Sequence, residues 1–193
     1  MDRTCEHGNP SLRTSKVIET INYDMGILFT LSDQCCVASV HEIQEVILLP
    51  KSATSITDFS NTRTLTTIPG THNGLLGMTN LRGRLLPLID LALICGLPEN
   101  KKPSRQSVLV VDFDNTFCGL IVDSVQYFRQ FDRRYYKNDI PKSLNKGLHC
   151  CIVGSYDDVG GNDCKHDEYL VFSFQALLHS HQFLNLSPVV MTP

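Results

Sequence analysis

Two apolar runs, Leu75–Leu81 and Arg84–Ile89, stand on either side of the dipeptide Arg82-Gly83. Runs of this length joined by two residues favour one compact arrangement, an antiparallel hairpin, because glycine at the second loop position takes a positive φ without steric penalty. The feature recurs at Ser107–Asp112 and Phe117–Val122, which flank a turn at Asp114-Asn115 where asparagine tolerates the left-handed conformation. Gly26–Leu31, Cys35–Ala38, Glu45–Leu49, Ser124–Phe128, Cys150–Tyr156 and Tyr169–Phe174 add further strand-like runs bounded by turn signals. Pro87 cannot donate a ladder hydrogen bond, which predicts an edge or a bulge for its strand.

Helical signals are sparse. Leu91–Cys95 follows Asp90 as an N-cap and precedes Gly96 and Pro98, and Gln175–Leu184 places Leu177, Leu178, His181 and Leu184 at helical spacing with Ser173 as a cap. Val40–Ile43 reads as a brief helical turn. Nine or ten short strands against two short helices predict an all-β fold, and barrel closure is a common way to hide strand edges. No internal repeat at a fixed period is present.

The length of 193 residues fits one domain, which we place at 21–184, after a flexible leader at 1–20 and before a tail at 185–193. Lys51–Gly74 is polar and threonine-rich and reads as a long loop, as do Asp132–Gly147 and the insert Asp157–Asp167. The N-terminus lacks the apolar core of a signal peptide, and the most apolar stretch, Leu85–Leu97, falls short of the roughly 20 residues a membrane span needs. These features predict a cytoplasmic protein with no direct membrane insertion. The eight cysteines then read as free, largely buried thiols rather than a disulfide framework.

The chemistry-bearing residues point away from catalysis. The seven histidines are scattered, and no metalloprotease, nucleophile-elbow or phosphate-loop motif is present, so neither an active site nor a cofactor is expected. Asp112, Asp114 and Asp123 lie at hairpin ends, where aspartate serves turn chemistry. Cys150, Cys151, Cys164, His149 and His166 could gather soft metal ligands, but neighbouring cysteines on a strand point to opposite faces, and the expectation is no metal. A net charge of −3 argues against nucleic acid as a partner. The one basic and aromatic cluster, Arg129, Arg133, Arg134, Tyr135, Tyr136 and Lys137, keeps an oligonucleotide-binding barrel as the alternative.

The stretch from Gly77 to Leu91, with its Asn80-Leu81-Arg82-Gly83 tip and Leu86-Pro87-Leu88-Ile89-Asp90-Leu91 exit, resembles the hairpin of the CheW family of chemosensory adaptors. Gly119-Leu120-Ile121-Val122-Asp123-Ser124-Val125, the turn Val40–Val46 ending near a glutamate, and the closing Val171–Leu178 are similar to further family segments in the family's order. Ser173 stands where the family usually has aspartate. The approach through Pro69-Gly70 and the ending His181–Leu184 are most similar to the PilI-type branch serving type IV pilus twitching motility. The resemblance implies two small five-stranded SH3-like barrels on a shared apolar core. It also implies a scaffolding role between the regulatory domain of a CheA-like histidine kinase and the cytoplasmic tip of a methyl-accepting chemoreceptor. The candidate partner-binding residues are Arg82, as a solvated cation at the tip, Glu45, as an exposed carboxylate, and Gly83, Asn80, Val46 and Leu85. Asn80 and Gly83 are also expected to shape the hairpin; Gly77, Pro87 and Asp90 read as structural, and Leu81 as core or interface.

Overall fold

A computed structural model of the chain describes residues 23–48, 65–70, 72–97, 106–113, 115–141, 144–157 and 168–186. The expected leader, the residues 99–105, most of the threonine-rich loop, the insert at 158–167 and the tail beyond 186 lie outside the described residues.

The first sheet contains β1 (Tyr23–Leu31), β2 (Gln34–Ser39), β8 (Ser124–Asp132), β9 (Tyr136–Lys137), β10 (Ile152–Asp157) and β11 (Glu168–Phe172), in the order β8-β1-β2-β11-β10-β9. The second contains β3 (Ile43–Leu48), β4 (Leu75–Leu81), β5 (Arg84–Asp90), β6 (Ser107–Phe113) and β7 (Thr116–Val122), in the order β3-β6-β7-β5-β4. Setting aside the two-residue β9, each sheet has five strands, and the two repeat one pattern. An antiparallel outer strand joins an antiparallel hairpin, the hairpin pairs in parallel with another strand, and that strand pairs antiparallel with the last. The chain also exchanges strands: β3 follows β2 but pairs in the second sheet, while β8 follows β7 but pairs in the first. The lobes are interwoven, so neither sheet is built from one continuous piece of chain.

Both sheets are rolled, as contacts across them require. Four strand spacings of about 4.8 Å would hold β8 and β10 about 19 Å apart in a flat sheet. Instead the rings of Phe131 on β8 and Tyr156 on β10 lie 4.9 Å apart, and the Tyr156 hydroxyl donates to Asp24 of β1 at 2.8 Å. The rolled interiors are separate apolar clusters, with Leu28, Val37, Phe131, Tyr156 and Tyr169 in the first and Leu81, Leu86, Leu88, Val108, Val110 and Ile121 in the second. A larger shared core lies between them, drawing Ile27, Phe29 and Phe172 from the first sheet and Ile89, Leu109 and Leu120 from the second. Strands such as Val108–Val111 are therefore buried on both faces, which is why they read as continuous apolar runs rather than alternating ones.

Local capping follows the sequence. Asp90 caps α1 (Leu91–Ile94) by accepting from the Leu93 amide at 3.1 Å, and Ser173 caps α2 (Phe174–Leu178) through the Ala176 amide at 3.1 Å. Each helix leaves the strand that carries the parallel pairing of its sheet. The serine in place of the family's usual aspartate thus keeps the capping function.

Several expectations need correction. The single helix over Gln175–Leu184 is two, because the Ser180 hydroxyl accepts from the Phe183 amide at 3.2 Å and starts α3 (His181–Leu184). The segment after Asp132 is not all loop: it holds a 3₁₀ turn at Arg133–Tyr135, β9, and a second 3₁₀ turn at Lys146–Leu148. Thr66, placed in the long loop, exchanges both backbone hydrogen bonds with Met78 of β4 at 2.8 Å. Gly77 answers to that approach, since a Cβ there would lie 2.5 Å from the Thr66 carbonyl oxygen. β5 is not an edge strand; it lies between β4 and β7. Pro87 is tolerated because its pairing with β7 covers only Leu88–Asp90, so the missing N–H falls before that ladder begins.

Among the described cysteines, 36, 95, 118, 150 and 151 are free, whereas Cys35 is disulfide-bonded, contrary to the expectation of free thiols throughout. No helix among the described residues is long and apolar enough to cross a membrane.

Candidate functional site

The hairpin of β4 and β5 is closed by Arg82 at φ +53° and Gly83 at φ +87°. Two successive positive φ values make the loop whose twist matches that of the flanking strands. The sequence accounts for the glycine but not for the arginine, whose Cβ costs on the order of 1–2 kcal/mol in the left-handed region. Asn80 locks the loop by accepting from the Gly83 amide at 2.9 Å, so both residues shape the tip as expected.

The structure joins two candidates that sequence reasoning kept apart. Arg82 Nη2 donates to Glu45 Oε2 at 2.5 Å, with the arginine side chain 75% exposed and the glutamate side chain 20% exposed. Glu45 lies on β3, at the opposite end of the second sheet from the hairpin. Three strand spacings, about 14 Å, would separate β3 from β5 if that sheet were flat. The ion pair exists because the sheet rolls, and it spans the seam where the sheet's two ends meet. The β3–β6 register shifts between Ile43 and Glu45, an irregularity of the kind that re-aims a side chain.

Two expectations change as a result. Arg82 is exposed but already carries a carboxylate, so an acidic partner group meets a neutralised cation. Glu45 is not an open surface carboxylate. Its Oε1 is buried without a hydrogen-bond partner, as is the hydroxyl oxygen of Thr79 on β4.

The remaining candidates divide by burial. Leu85, opposite Asn80 in the hairpin, is 66% exposed and stands on the accessible face beside the tip. Val46 is half-buried against the shared core, and Leu81 is buried inside the second lobe. Sequence reasoning missed Arg84, whose guanidinium stacks 3.7 Å over the Phe117 ring and donates to Asp112 at 2.6 Å. Its place beside the turn was visible, but its partners lie on the other hairpin. Hence Asp112 serves an ion pair, while Asp123 serves a turn by accepting from the Ser32 amide at 2.7 Å. Burial raises the Asp123 carboxyl above its ordinary range in spite of that bond.

The basic cluster behind the oligonucleotide alternative is balanced from within. Arg133 pairs with Asp24 at 2.7 Å, Arg134 with Asp132 at 2.5 Å and Lys137 with Asp157 at 2.6 Å, while Arg129 donates to the Tyr169 hydroxyl at 2.6 Å. A cationic stripe that tracks a phosphate backbone needs charge in excess, and here carboxylates match it. An open groove of about 460 Å³ lies beside this cluster, lined by Asp24, His41, Phe131, Arg133 and Tyr156. Three of its polar groups are tied up together, with Arg133 and the Tyr156 hydroxyl both donating to Asp24. Among the described residues no group of three or more His, Cys, Asp or Glu is arranged to hold a metal ion; Cys164 and His166 lie outside them.

Comparison with known proteins agrees with this geometry. Residues 25–148 match the family model of the CheW-like domain. Protein PilI of Pseudomonas aeruginosa is 29% identical over 169 residues, covering 88% of this chain and 83% of that protein. Chemotaxis protein CheW of Helicobacter pylori is 40% identical over 58 residues, 30% of this chain and 35% of that protein. The crystal structure of scaffolding protein TtCheW from Thermoanaerobacter tengcongensis superposes with a TM-score of 0.61 at 19% identity, covering 82% of this chain and 94% of that one. On the strength of the matched domain and the rolled pair of sheets, this chain belongs to the CheW-like family, whose members are non-enzymatic scaffolds.

Proposed function

We propose that this protein is a chemosensory adaptor in the cytoplasm, coupling a CheA-type histidine kinase to methyl-accepting chemoreceptors within the type IV pilus branch of such systems. One lobe engages the regulatory domain of the kinase and another surface engages the cytoplasmic tip of the receptor. The pilus assignment is supported by the similarity to PilI along most of both chains.

The observation that carries the adaptor reading is the Arg82 tip. A left-handed arginine, tied to Glu45 across the seam and flanked by exposed Leu85, presents an ion-paired guanidinium and an apolar side chain together on a rigid support. Arginine beside apolar surface is a combination favoured at the energetic centre of protein interfaces. Asn80 and Gly83 hold the tip in shape, and Glu45 and Val46 set it against the lobe. The interwoven strands add the second requirement, since lobes that share strands and a core cannot drift apart. A contact on one lobe is thereby registered against a contact on the other, and holding both partners raises their effective concentration.

The test is binding of the purified chain to a kinase regulatory domain and to a receptor-tip fragment, each measured with Arg82→Glu beside the parent. The reversal places two carboxylates at the seam and should weaken one of the two partners by about 2 kcal/mol, roughly 30-fold, while the other binds as before. Full retention of both affinities would remove Arg82 from the interface.

A further inference from the structure

Four of the five strands in the second sheet change character at the same end of the lobe. Side chains two apart on a strand share a face, and the face that lines the lobe's apolar interior ends each time in a charged or aromatic group. Val110 on β6 leads to Asp112, Leu86 on β5 leads to Arg84, and Ile47 on β3 leads to Glu45. On β7 the last interior side chain at that end is Phe117. The pairing register gathers these ends, with Asp112 opposite Phe117 and Arg84 opposite Leu81, one residue before Arg82.

Both guanidiniums at this end are fixed in place. Arg84 lies 3.7 Å over the Phe117 ring and its Nη1 donates to Asp112 Oδ2 at 2.6 Å, so an aromatic face sets its plane and a carboxylate sets its position. Arg82 is held by its donation to Glu45. The cations stand outermost: the Arg82 and Arg84 side chains are 75% and 53% exposed, against 20% and 36% for Glu45 and Asp112. A guanidinium carries several N–H donors. Among the described residues a single one on each arginine is engaged by a carboxylate, and the others face outward. Two cations over two anions leave no net charge on this surface, yet a surplus of oriented donors.

We propose that this end of the second lobe recognises neutral acceptors, the carbonyl oxygens left open on a partner's backbone, and that Arg84 determines this specificity beside Arg82. The assignment rests on the reading of Arg82 as an interface group and names the chemistry that meets it. A carbonyl oxygen accepts from the outward N–H groups without disturbing either ion pair. An incoming carboxylate finds the cations already neutralised and meets Glu45 or Asp112 as a like charge just behind them. Lysine in place of Arg84 would restore the charge and lose both the flat stack on Phe117 and the fork of donors. Leu85, exposed beside the tip, adds apolar area that a carbonyl-bearing surface can cover.

The experiment measures binding of the full-length protein to the kinase regulatory domain and to the receptor-tip fragment at about 50 and about 500 mM sodium chloride, across which the screening length falls from roughly 14 to roughly 4 Å. Arg84→Gln should weaken the partner that Arg82→Glu weakens by about tenfold, and by the same factor at both salt concentrations. Arg84→Lys should be as weak as Arg84→Gln, and Asp112→Asn, which uncovers the Arg84 cation, should bind no tighter than the parent. A loss at Arg84→Gln that fades in high salt, rescue by lysine, or tighter binding by Asp112→Asn would identify an acidic partner group and overturn the inference. Arg84→Gln binding as the parent does would remove Arg84 from the surface. Each of these results can occur while Arg82→Glu still weakens its partner; if Arg82→Glu spares both partners, the reading of the tip falls and this assignment falls with it.

Discussion

The left-handed arginine at the hairpin tip separates stability from binding, and replacing it with glycine and with alanine tests both. Arg82→Ala removes the ion pair with Glu45 but keeps a Cβ at φ +53°. Because the pair is 75% and 20% exposed, its loss falls in the surface range of about 0.2–1 kcal/mol. Arg82→Gly loses the same pair, yet relieves about 1–2 kcal/mol of left-handed strain against about 0.4–1 kcal/mol of added freedom in the unfolded chain. Glycine should therefore be more stable than alanine by about 1 kcal/mol and close to the parent, a difference of about 2–4 °C in Tm for a chain of this size. Binding should rank differently, with both variants losing about 2 kcal/mol, roughly 30-fold, towards the partner that engages the tip. Thermal unfolding by circular dichroism and titration calorimetry on the same three proteins give both rankings. If alanine proves as stable as glycine, the tip backbone is not left-handed in solution. If either variant binds within about threefold of the parent, the guanidinium is not an interface group.

Two further outcomes follow from the packing. Arg133 hydrogen bonds hold the Asp24 carboxyl below its ordinary value of 3.8, against the opposing effect of burial and with help from the Tyr156 hydroxyl. A depressed carboxylate contributes stability that is complete above its unfolded value and is lost as pH falls through the folded one. Arg133→Gln should accordingly lower Tm slightly at pH 7, since the pair is largely screened by solvent, and the gap should narrow as the pH falls below 3.8; a gap that persists in acid would assign the loss to packing. Gly147→Ala places a methyl group against the Cys95 carbonyl and should cost about 1–3 kcal/mol in urea unfolding, and an unchanged midpoint would mean that α1 and the turn are not in backbone contact.

The local parts of this fold are legible in the sequence because they are written by neighbours. Gly83 and Asn115 mark hairpin turns through their own φ preferences, and Asp90 and Ser173 cap helices three residues away. What the sequence hides is set by closure. Arg82 and Glu45 are 37 positions apart and meet only because a five-stranded sheet rolls until its ends touch, so neither residue type signals the other. The same holds for Arg84 with Asp112, and for the interior place of β5, which depends on a parallel pairing to β7 that no turn motif announces. Strand exchange between the lobes is equally silent, since β3 and β8 look like ordinary continuations of the hairpins they follow. The basic cluster from Arg129 to Lys137 misleads for a related reason: its balancing carboxylates Asp24 and Asp157 come from distant strands. Ser180, by contrast, was readable, because a serine three residues before a phenylalanine amide is a capping signal inside an otherwise helical pattern.

The most direct measurement is assembly with both partners present. A kinase regulatory domain and a receptor-tip fragment, chosen so that they do not associate by themselves, are mixed with and without this protein and resolved by size-exclusion chromatography with light scattering. A complex containing all three, formed only when the chain is added and reduced when it carries Arg82→Glu, is the result expected of a two-sided adaptor. Mutually exclusive binding, in which each partner displaces the other, would contradict it.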